Sequence, residues 1–150
     1  MVEEIIITIE KQLDKQEWEQ LKSKTWHLGI FTEPYLTYML EKKKTIESRF
    51  SKNKIAPFEK ITKDDIVFVK KSGGDIVAYF TIKEVLFFDL RNTPIEEIKE
   101  KYGKELCVDN SFWTIKKDSN YATLIVIDQI KKVKPFSIKK KGMQTWIVLK

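Results

Sequence analysis

The sequence predicts an α+β fold, in which a small, mostly antiparallel, barrel-like sheet has helices packed around it. About six segments rich in Ile, Val, Phe and Tyr have the lengths and flanking turn residues of strands. The predicted helices fall between them without the regular alternation of a doubly wound parallel sheet. A length of 150 residues and an apolar content of 42% suffice for one domain with a sizeable core.

Residues 1–25 are predicted to form a helical extension that packs on the outside of the main domain, residues 26–150. From Val2 to Lys24, apolar residues recur at three- and four-residue spacing. Asp14 is a candidate N-cap of a second helix, with Glu17 as its capping-box partner. The β-branched run from Ile5 to Ile9 leaves a strand as the alternative for the first part.

The main domain is expected to begin with a strand and a short helix. The apolar run from His27 to Phe31 predicts the strand. Thr32 is a candidate N-cap, and Glu33 and Pro34 suit a first helical turn. A stripe at helical spacing follows and predicts core packing. It consists of Tyr35, Leu36, Met39 and Leu40.

The centre of the chain predicts a hairpin and two long strands. Ile66 to Val69 is one strand, and a Ser-Gly-Gly-Asp turn joins it to the long apolar segment Ile76 to Phe88. The polar stretch from Ser51 to Asp65 is expected to be a loop of a length that often covers a site. Tyr121 to Ile130 is the second long strand, and Trp146 to Leu149 is the last.

Two helices are predicted between the long strands. A Thr-Pro pair at 93–94 starts the first, and Gly103 is placed to end it. Asn110 is a candidate cap for a second, short helix that carries Phe112 and Trp113.

Composition narrows the classes of function. The net charge of +6 and pI near 9.2 favour an anionic partner, most simply nucleic acid, with a lysine-rich surface that only maintains solubility as the alternative. One cysteine and one histidine, His27, exclude an internal disulfide and clusters of those metal ligands, so neither metal nor cofactor is expected. Without a signal-peptide pattern or a membrane-length apolar run, the protein is expected to be cytoplasmic. No sequence feature defines its oligomeric state, and a monomer is the default expectation.

The densest cluster of charge, Lys42 to Phe50, lies where a predicted helix gives way to a strand. Successive side chains of an extended chain point to opposite faces, so Thr45, Glu47 and Arg49 are expected to share one face. The helix macrodipole favours lysines at a helix end, which is a structural explanation for two of them. A Glu47–Arg49 ion pair on an exposed strand is the structural alternative for the other charges.

This cluster resembles the signature of the ASCH domain, Gly-x-Lys-x-x-Glu-x-Arg. Lys44, Glu47 and Arg49 stand at its charged positions, and Lys42 stands in place of the glycine. The long strands, the helical insertion between them and the terminal strand are similar too, so the resemblance covers Trp26 to Leu149. It implies a PUA-like β-barrel, with a cleft lined by the motif's charged residues and RNA or a nucleotide as ligand.

The first hypothesis is therefore binding of RNA or a nucleotide. Arg49 and the C-terminal lysines would contact phosphate, and Glu47 would accept hydrogen bonds from an amino group of a base. Trp113 is a candidate for stacking on an unpaired base, although large aromatic residues are more often buried in a small core. Lys44 and Thr45 complete the expected ligand-binding residues.

The alternative is a hydrolase that acts on RNA or on an acylated nucleoside. The resemblance implies this because some ASCH proteins are amidohydrolases that deacylate N4-acetylcytidine with a lysine, a threonine and a distant glutamate. Lys44 matches that lysine, whereas Glu47 stands at the catalytic threonine's position and Thr45 matches a neighbouring threonine. Lys44 and Glu47 are then the candidate catalytic residues. The distant glutamate has four candidates: Glu96, Glu97, Glu100 and Glu105.

Overall fold

A curled, six-stranded sheet forms the centre of the molecule, in a computed structural model that describes all 150 residues. Its strands are β1 (Trp26–Phe31), β2 (Ile46–Ser51), β3 (Ile66–Lys71), β4 (Ile76–Asp89), β5 (Tyr121–Phe136) and β6 (Trp146–Val148). They lie in the order β2-β5-β4-β3-β1-β6, and only β1 and β3 pair in parallel. The predicted α+β fold with a mostly antiparallel sheet is confirmed.

Five helices lie outside the sheet. They are α1 (Val2–Gln12), α2 (Lys15–Leu21), α3 (Tyr35–Leu40), α4 (Ile95–Leu106) and α5 (Asn110–Lys116). The last two form an insertion between the longest strands, β4 and β5. None of the five is both long and apolar enough to cross a membrane.

The first helix buries a row of isoleucines against the sheet. Ile5 and Ile9, one helical turn apart, are almost completely buried and share a core cluster with Trp26 and Leu28 of β1. A strand would place Ile7 on the same face as these two isoleucines, whereas the helical period turns Ile7 outward, and Ile7 is 49% exposed. Packing therefore selects a helix over the strand alternative.

A capping box starts α2, and one of its residues also bonds to two strands of the sheet. The Glu17 amide donates to Asp14 Oδ1 over 2.7 Å, and the Asp14 amide donates to Glu17 Oε1 over 3.2 Å, as predicted. Glu17 Oε2 also accepts from the Tyr79 hydroxyl over 2.7 Å and from Lys131 Nζ over 2.8 Å. Burial and the bond to Glu17 raise the pKa of Tyr79 to about 12, so its hydroxyl keeps the proton that it donates.

The start of α3 differs from the prediction. Thr32 makes no side-chain cap, and the helix begins at Tyr35. The carboxylate of Glu33 takes over the capping role by accepting from both the amide and the hydroxyl of Thr37, each over 2.8 Å. These two bonds lower the pKa of Glu33.

A Schellman motif ends α3 at the position of the signature glycine. The Lys43 amide donates to the Tyr38 carbonyl over 2.9 Å, and the Lys42 amide to the Met39 carbonyl over 3.1 Å. This geometry needs a left-handed residue, and Lys42 has a φ of 63°. A residue with a Cβ atom therefore makes this turn, at the cost of backbone strain.

The helical insertion departs from the prediction at three boundaries. α4 begins at Ile95, with Pro94 at its N-cap and no side-chain cap from Thr93. α4 continues past Gly103 because Leu106 is completely buried in the core, and the left-handed residue that ends it is Cys107, with φ 56°. The N-cap of α5 is Asp109 rather than Asn110, and its carboxylate accepts a first-turn amide hydrogen bond of 3.1 Å.

Strand β5 runs beyond its predicted end at Ile130. It continues to Phe136 and pairs with β4 throughout, with Lys132 opposite Ala78. Val133 and Phe136 pack against the core that also holds α1. The basic C-terminal stretch is therefore partly an ordered strand.

His27 is a completely buried link between elements. Trp146 Nε1 donates to His27 Nδ1 over 3.2 Å, which leaves Nε2 to donate to Asp65 Oδ2 over 2.8 Å. Because Nδ1 already accepts a hydrogen bond, the neutral ring satisfies both partners. Burial lowers the pKa of His27 further than the Asp65 carboxylate raises it.

Replacing Lys42 with glycine should stabilise the fold by roughly 0.5–1 kcal/mol. The change removes left-handed strain of roughly 1–2 kcal/mol, and the greater freedom of glycine in the unfolded chain offsets part of that gain. Urea unfolding measures the difference. Lys43→Gly is the matched control, and it should destabilise because Lys43 does not have a positive φ. A loss of stability on Lys42→Gly would contradict the strain.

The free energy of unfolding should fall as the pH is lowered through about 6.5, the ordinary histidine pKa. His27 is the sole histidine, and its pKa is lower in the folded than in the unfolded protein. The unfolded state therefore binds the proton first, with a limiting slope of about 1.4 kcal/mol per pH unit. Urea unfolding at a series of pH values measures the slope, and His27→Gln should flatten it. A flat wild-type profile above about pH 5 would show that His27 is not the cause.

Candidate functional site

A pocket of about 250 Å³ opens where the two ends of the curled sheet approach each other. β2 forms one side of it, and the end of β1 with the chain just before β6 forms the other. Three predicted site residues come together in its wall: Lys44, Glu47 and Arg49. Tyr35 of α3 and Phe112 of α5 supply aromatic walls.

Arg49 joins the two sides of the pocket. Its Nη2 donates to the Ile30 carbonyl over 2.8 Å, and its Nη1 to the Thr145 carbonyl over 3.1 Å. The guanidinium carbon lies 4.7 Å from the ring centroid of Phe31 and 5.1 Å from that of Trp146. Two carbonyls and two rings thus hold a side chain that is 16% exposed.

Glu47 is a buried carboxylate between two cations. Its side chain is 9% exposed, and Oε1 accepts from the Ser48 amide over 2.7 Å. Lys44 Nζ lies 3.9 Å from Oε1, and Arg49 Nη2 lies 3.5 Å from Oε2. Both distances exceed the roughly 2.7–2.9 Å of a short charge-assisted hydrogen bond. The carboxylate therefore keeps acceptor capacity for a ligand. Glu47 and Arg49 are not the exposed ion pair that the structural alternative predicted.

Lys44 connects the pocket to the helical insertion. It is 2% exposed, and its Nζ donates to the carbonyl of Leu106 at the C-terminal end of α4, where the helix dipole favours a cation. Nζ also lies 5.4 Å from the ring centroid of Tyr35. Burial lowers the pKa of Lys44, and the Glu47 carboxylate opposes that shift.

Two predicted ligand-binding residues lie outside the pocket wall. Thr45 precedes β2, and its amide donates to the Glu105 carbonyl over 3.0 Å, so its exposed side chain does not share the face of the motif's charges. Trp113 is 8% exposed and packs in a core cluster with Leu106. This burial prevents Trp113 from stacking on a base, and its neighbour Phe112 lies in the pocket wall instead.

The wall residues that sequence reasoning missed include Tyr35, Phe112 and Lys116. The rings of Tyr35 and Phe112 lie 6.1 Å apart at an interplanar angle of 72°, and Lys116 Nζ lies 5.6 Å from the Phe112 centroid. The signal for the last two was the four-residue spacing on a short helix, which puts side chains on one face. No sequence pattern shows that this face turns toward the motif.

The remaining candidates lie away from the pocket. The four α4 glutamates are exposed, and Glu47 is the one carboxylate in the wall. The loop between β2 and β3 does not cover the pocket, because Ile61 anchors it in the core and Phe58 packs on Tyr121. No three His, Cys, Asp or Glu side chains are grouped as metal ligands.

Comparison with known proteins gives structural matches alone. No family model and no curated protein matches the sequence. The crystal structure of ASCH from Zymomonas mobilis superposes with a TM-score of 0.65 and 11% identity over 83% of this chain and 87% of that chain. A tyrosine-to-phenylalanine variant of the same protein gives 0.63 and 11%, over 83% and 90%. A serine-to-alanine variant gives 0.65 and 10%, over 83% and 88%. On this likeness, the chain has an ASCH-like fold of the PUA-like type.

Proposed function

We propose that this protein binds RNA or a nucleotide, with one base in the pocket between β1, β2 and α5. The observation that carries the proposal is the carboxylate of Glu47, which is buried between Lys44 and Arg49 beside an aromatic wall. Binding pockets combine apolar walls with a few fixed polar groups in this way. The volume of about 250 Å³ is close to the lower end of small-molecule pockets, roughly 300 Å³, and suits a base or nucleoside.

The pocket offers both kinds of hydrogen-bonding group to the edge of a base. Glu47 Oε2 would accept from an amino group or a ring N–H. Lys44 has three donors, of which the Leu106 carbonyl takes one, so it would donate to a ring nitrogen or carbonyl beside that amino group.

The aromatic walls and a rim lysine complete the site. The base would stack on Phe112 or Tyr35, an interaction worth roughly 1–3 kcal/mol per base. Lys116 lies on the same wall, where its flexible side chain would reach a phosphate outside the pocket. Arg49 holds the two sides of the pocket at a fixed separation and leaves Glu47 correctly oriented.

Glu47→Gln should weaken binding of the preferred ribonucleotide by about 10-fold or more. A hydrogen bond to a charged group contributes roughly 1.5–3 kcal/mol, and the neutral amide loses that charge while it can still accept from the Ser48 amide. Calorimetric titration of the four ribonucleoside 5′-monophosphates measures the affinities. Glu41→Gln is the matched control, because it removes the same charge from an exposed site outside the pocket. Equal affinities of the two variants for the ribonucleotide would contradict the role of Glu47 as an acceptor for the base.

Hydrolysis of an acylated nucleoside is the second candidate, and the buried amine of Lys44 favours it. Burial lowers the pKa of Lys44, which raises the fraction of neutral amine available as a base. A neutral Lys44 would take a proton from water as its oxygen attacks the acyl carbon. Glu47, 3.9 Å away, would pass that proton to the departing amine.

Turnover of N4-acetylcytidine or another acylated nucleoside, if it occurs, should disappear in Lys44→Met. Methionine keeps the apolar stem of a side chain that is 2% exposed, so thermal unfolding should still show a folded protein. Lys43→Met, a change at the exposed neighbouring lysine, should keep full turnover. Chromatographic detection of the free nucleoside decides the matter: turnover in Lys44→Met, or none in the wild type, contradicts the hydrolase.

A further inference from the structure

The excess positive charge of this protein is confined to its last 22 residues. Between Gln129 and Lys150 there are seven lysines and no aspartate or glutamate. The preceding 128 residues hold 21 basic and 22 acidic residues and are nearly neutral. A lysine-rich coat that only maintains solubility would spread its charge over the surface. We call residues 129–150 the C-terminal basic segment.

Six of the seven lysines of this segment form no ion pair with a carboxylate. Lys131 alone forms an ion pair, with Glu17. Lys140 is half-buried and donates to the Gly142 carbonyl, and the rest are exposed. The rest are Lys131, Lys132, Lys134, Lys139, Lys141 and Lys150.

The fold holds this segment in place. Residues 129–136 belong to β5, and Val133, Phe136 and Ile138 pack against the core beneath α1. Val133 and Phe136 are half-buried, whereas Lys131, Lys132 and Lys134 are exposed. Lys131, Lys132 and Lys134, which lie in β5, cost less entropy to bring onto a polyanion than the lysines of a flexible tail do.

The C-terminal basic segment leads directly to the pocket. Thr145, in the pocket wall, has its carbonyl fixed by Arg49 Nη1 and by the Ile30 amide. Lys141 is four residues before Thr145, so their Cα atoms are at most about 14 Å apart. A chain whose base lies in the pocket would carry its next phosphates past Lys139 and Lys141.

We infer that the ligand is a single-stranded nucleic acid chain rather than a free nucleotide, and that the C-terminal basic segment binds the phosphates beside the pocket. This inference rests on the proposed function for the base in the pocket. A single strand presents an unpaired base to the pocket without the cost of opening a duplex, and lysines neutralise its phosphates regardless of sequence. An anionic membrane fits less well, because the segment consists of the end of β5, an irregular connection and β6, with no amphipathic helix.

The test replaces Lys139, Lys140 and Lys141 together with glutamine. A single-stranded RNA of roughly twelve nucleotides should bind the wild type at least tenfold more tightly than any ribonucleoside 5′-monophosphate. The triple variant should lose that advantage and keep its affinity for the monophosphate. The slope of log affinity against log salt for the RNA should fall by about 2, since each phosphate contact on a single strand contributes about 0.7.

The matched control is the triple variant Lys60→Gln, Lys63→Gln and Lys83→Gln. It removes the same charge from exposed lysines of the neutral part of the chain, outside the pocket, and should bind RNA like the wild type. Equal losses in both triple variants, or a monophosphate that binds as tightly as the RNA, would overturn the inference. So would lysine-dependent binding to phosphatidylserine vesicles without binding to RNA. RNA binding that needs the lysines while no monophosphate binds would keep the basic segment and reject the pocket function.

Discussion

The two edges of the sheet do not pair with each other, and the guanidinium of Arg49 connects them instead. A closed barrel would join β2 to the β1–β6 side through backbone hydrogen bonds, whereas here one side chain reaches across to two carbonyls. The gap that it spans is the pocket itself. The same residue is therefore a structural bridge and a part of the binding surface, and its position fixes that of Glu47.

The charges of the pocket depend on one another. A buried carboxylate alone would be costly, but Glu47 has a backbone donor and two nearby cations. Lys44 in turn relies on the Leu106 carbonyl at the end of α4 and on Glu47. This arrangement is polar but open to a ligand, since neither cation is in tight contact with the carboxylate. The pocket therefore has donors and acceptors left for hydrogen bonds with a ligand.

Most of the fold follows from local sequence rules. Strand positions, the α2 capping box and the glycine turn after β3 are encoded within a few residues of where they act. The start of α3 was missed because the carboxylate of Glu33 caps the helix in place of Thr32. The end of α4 was missed because burial of Leu106 in the core extends the helix past Gly103. Periodicity alone could place Glu47 and Arg49 on one face. It could not place Phe112, because the direction of α5 depends on how the whole insertion packs on the sheet.

The link between the motif and the insertion has a thermodynamic consequence. Lys44 Nζ and the Thr45 amide hold the carbonyls of Leu106 and Glu105, so the last turn of α4 is fastened where β2 begins. Since α5 follows α4 after a short turn and carries Phe112, opening of the insertion would remove a wall of the pocket. Any ligand that needs this wall selects the closed insertion, so occupancy and local unfolding compete. A ligand bound in the pocket would therefore stabilise the insertion against local unfolding.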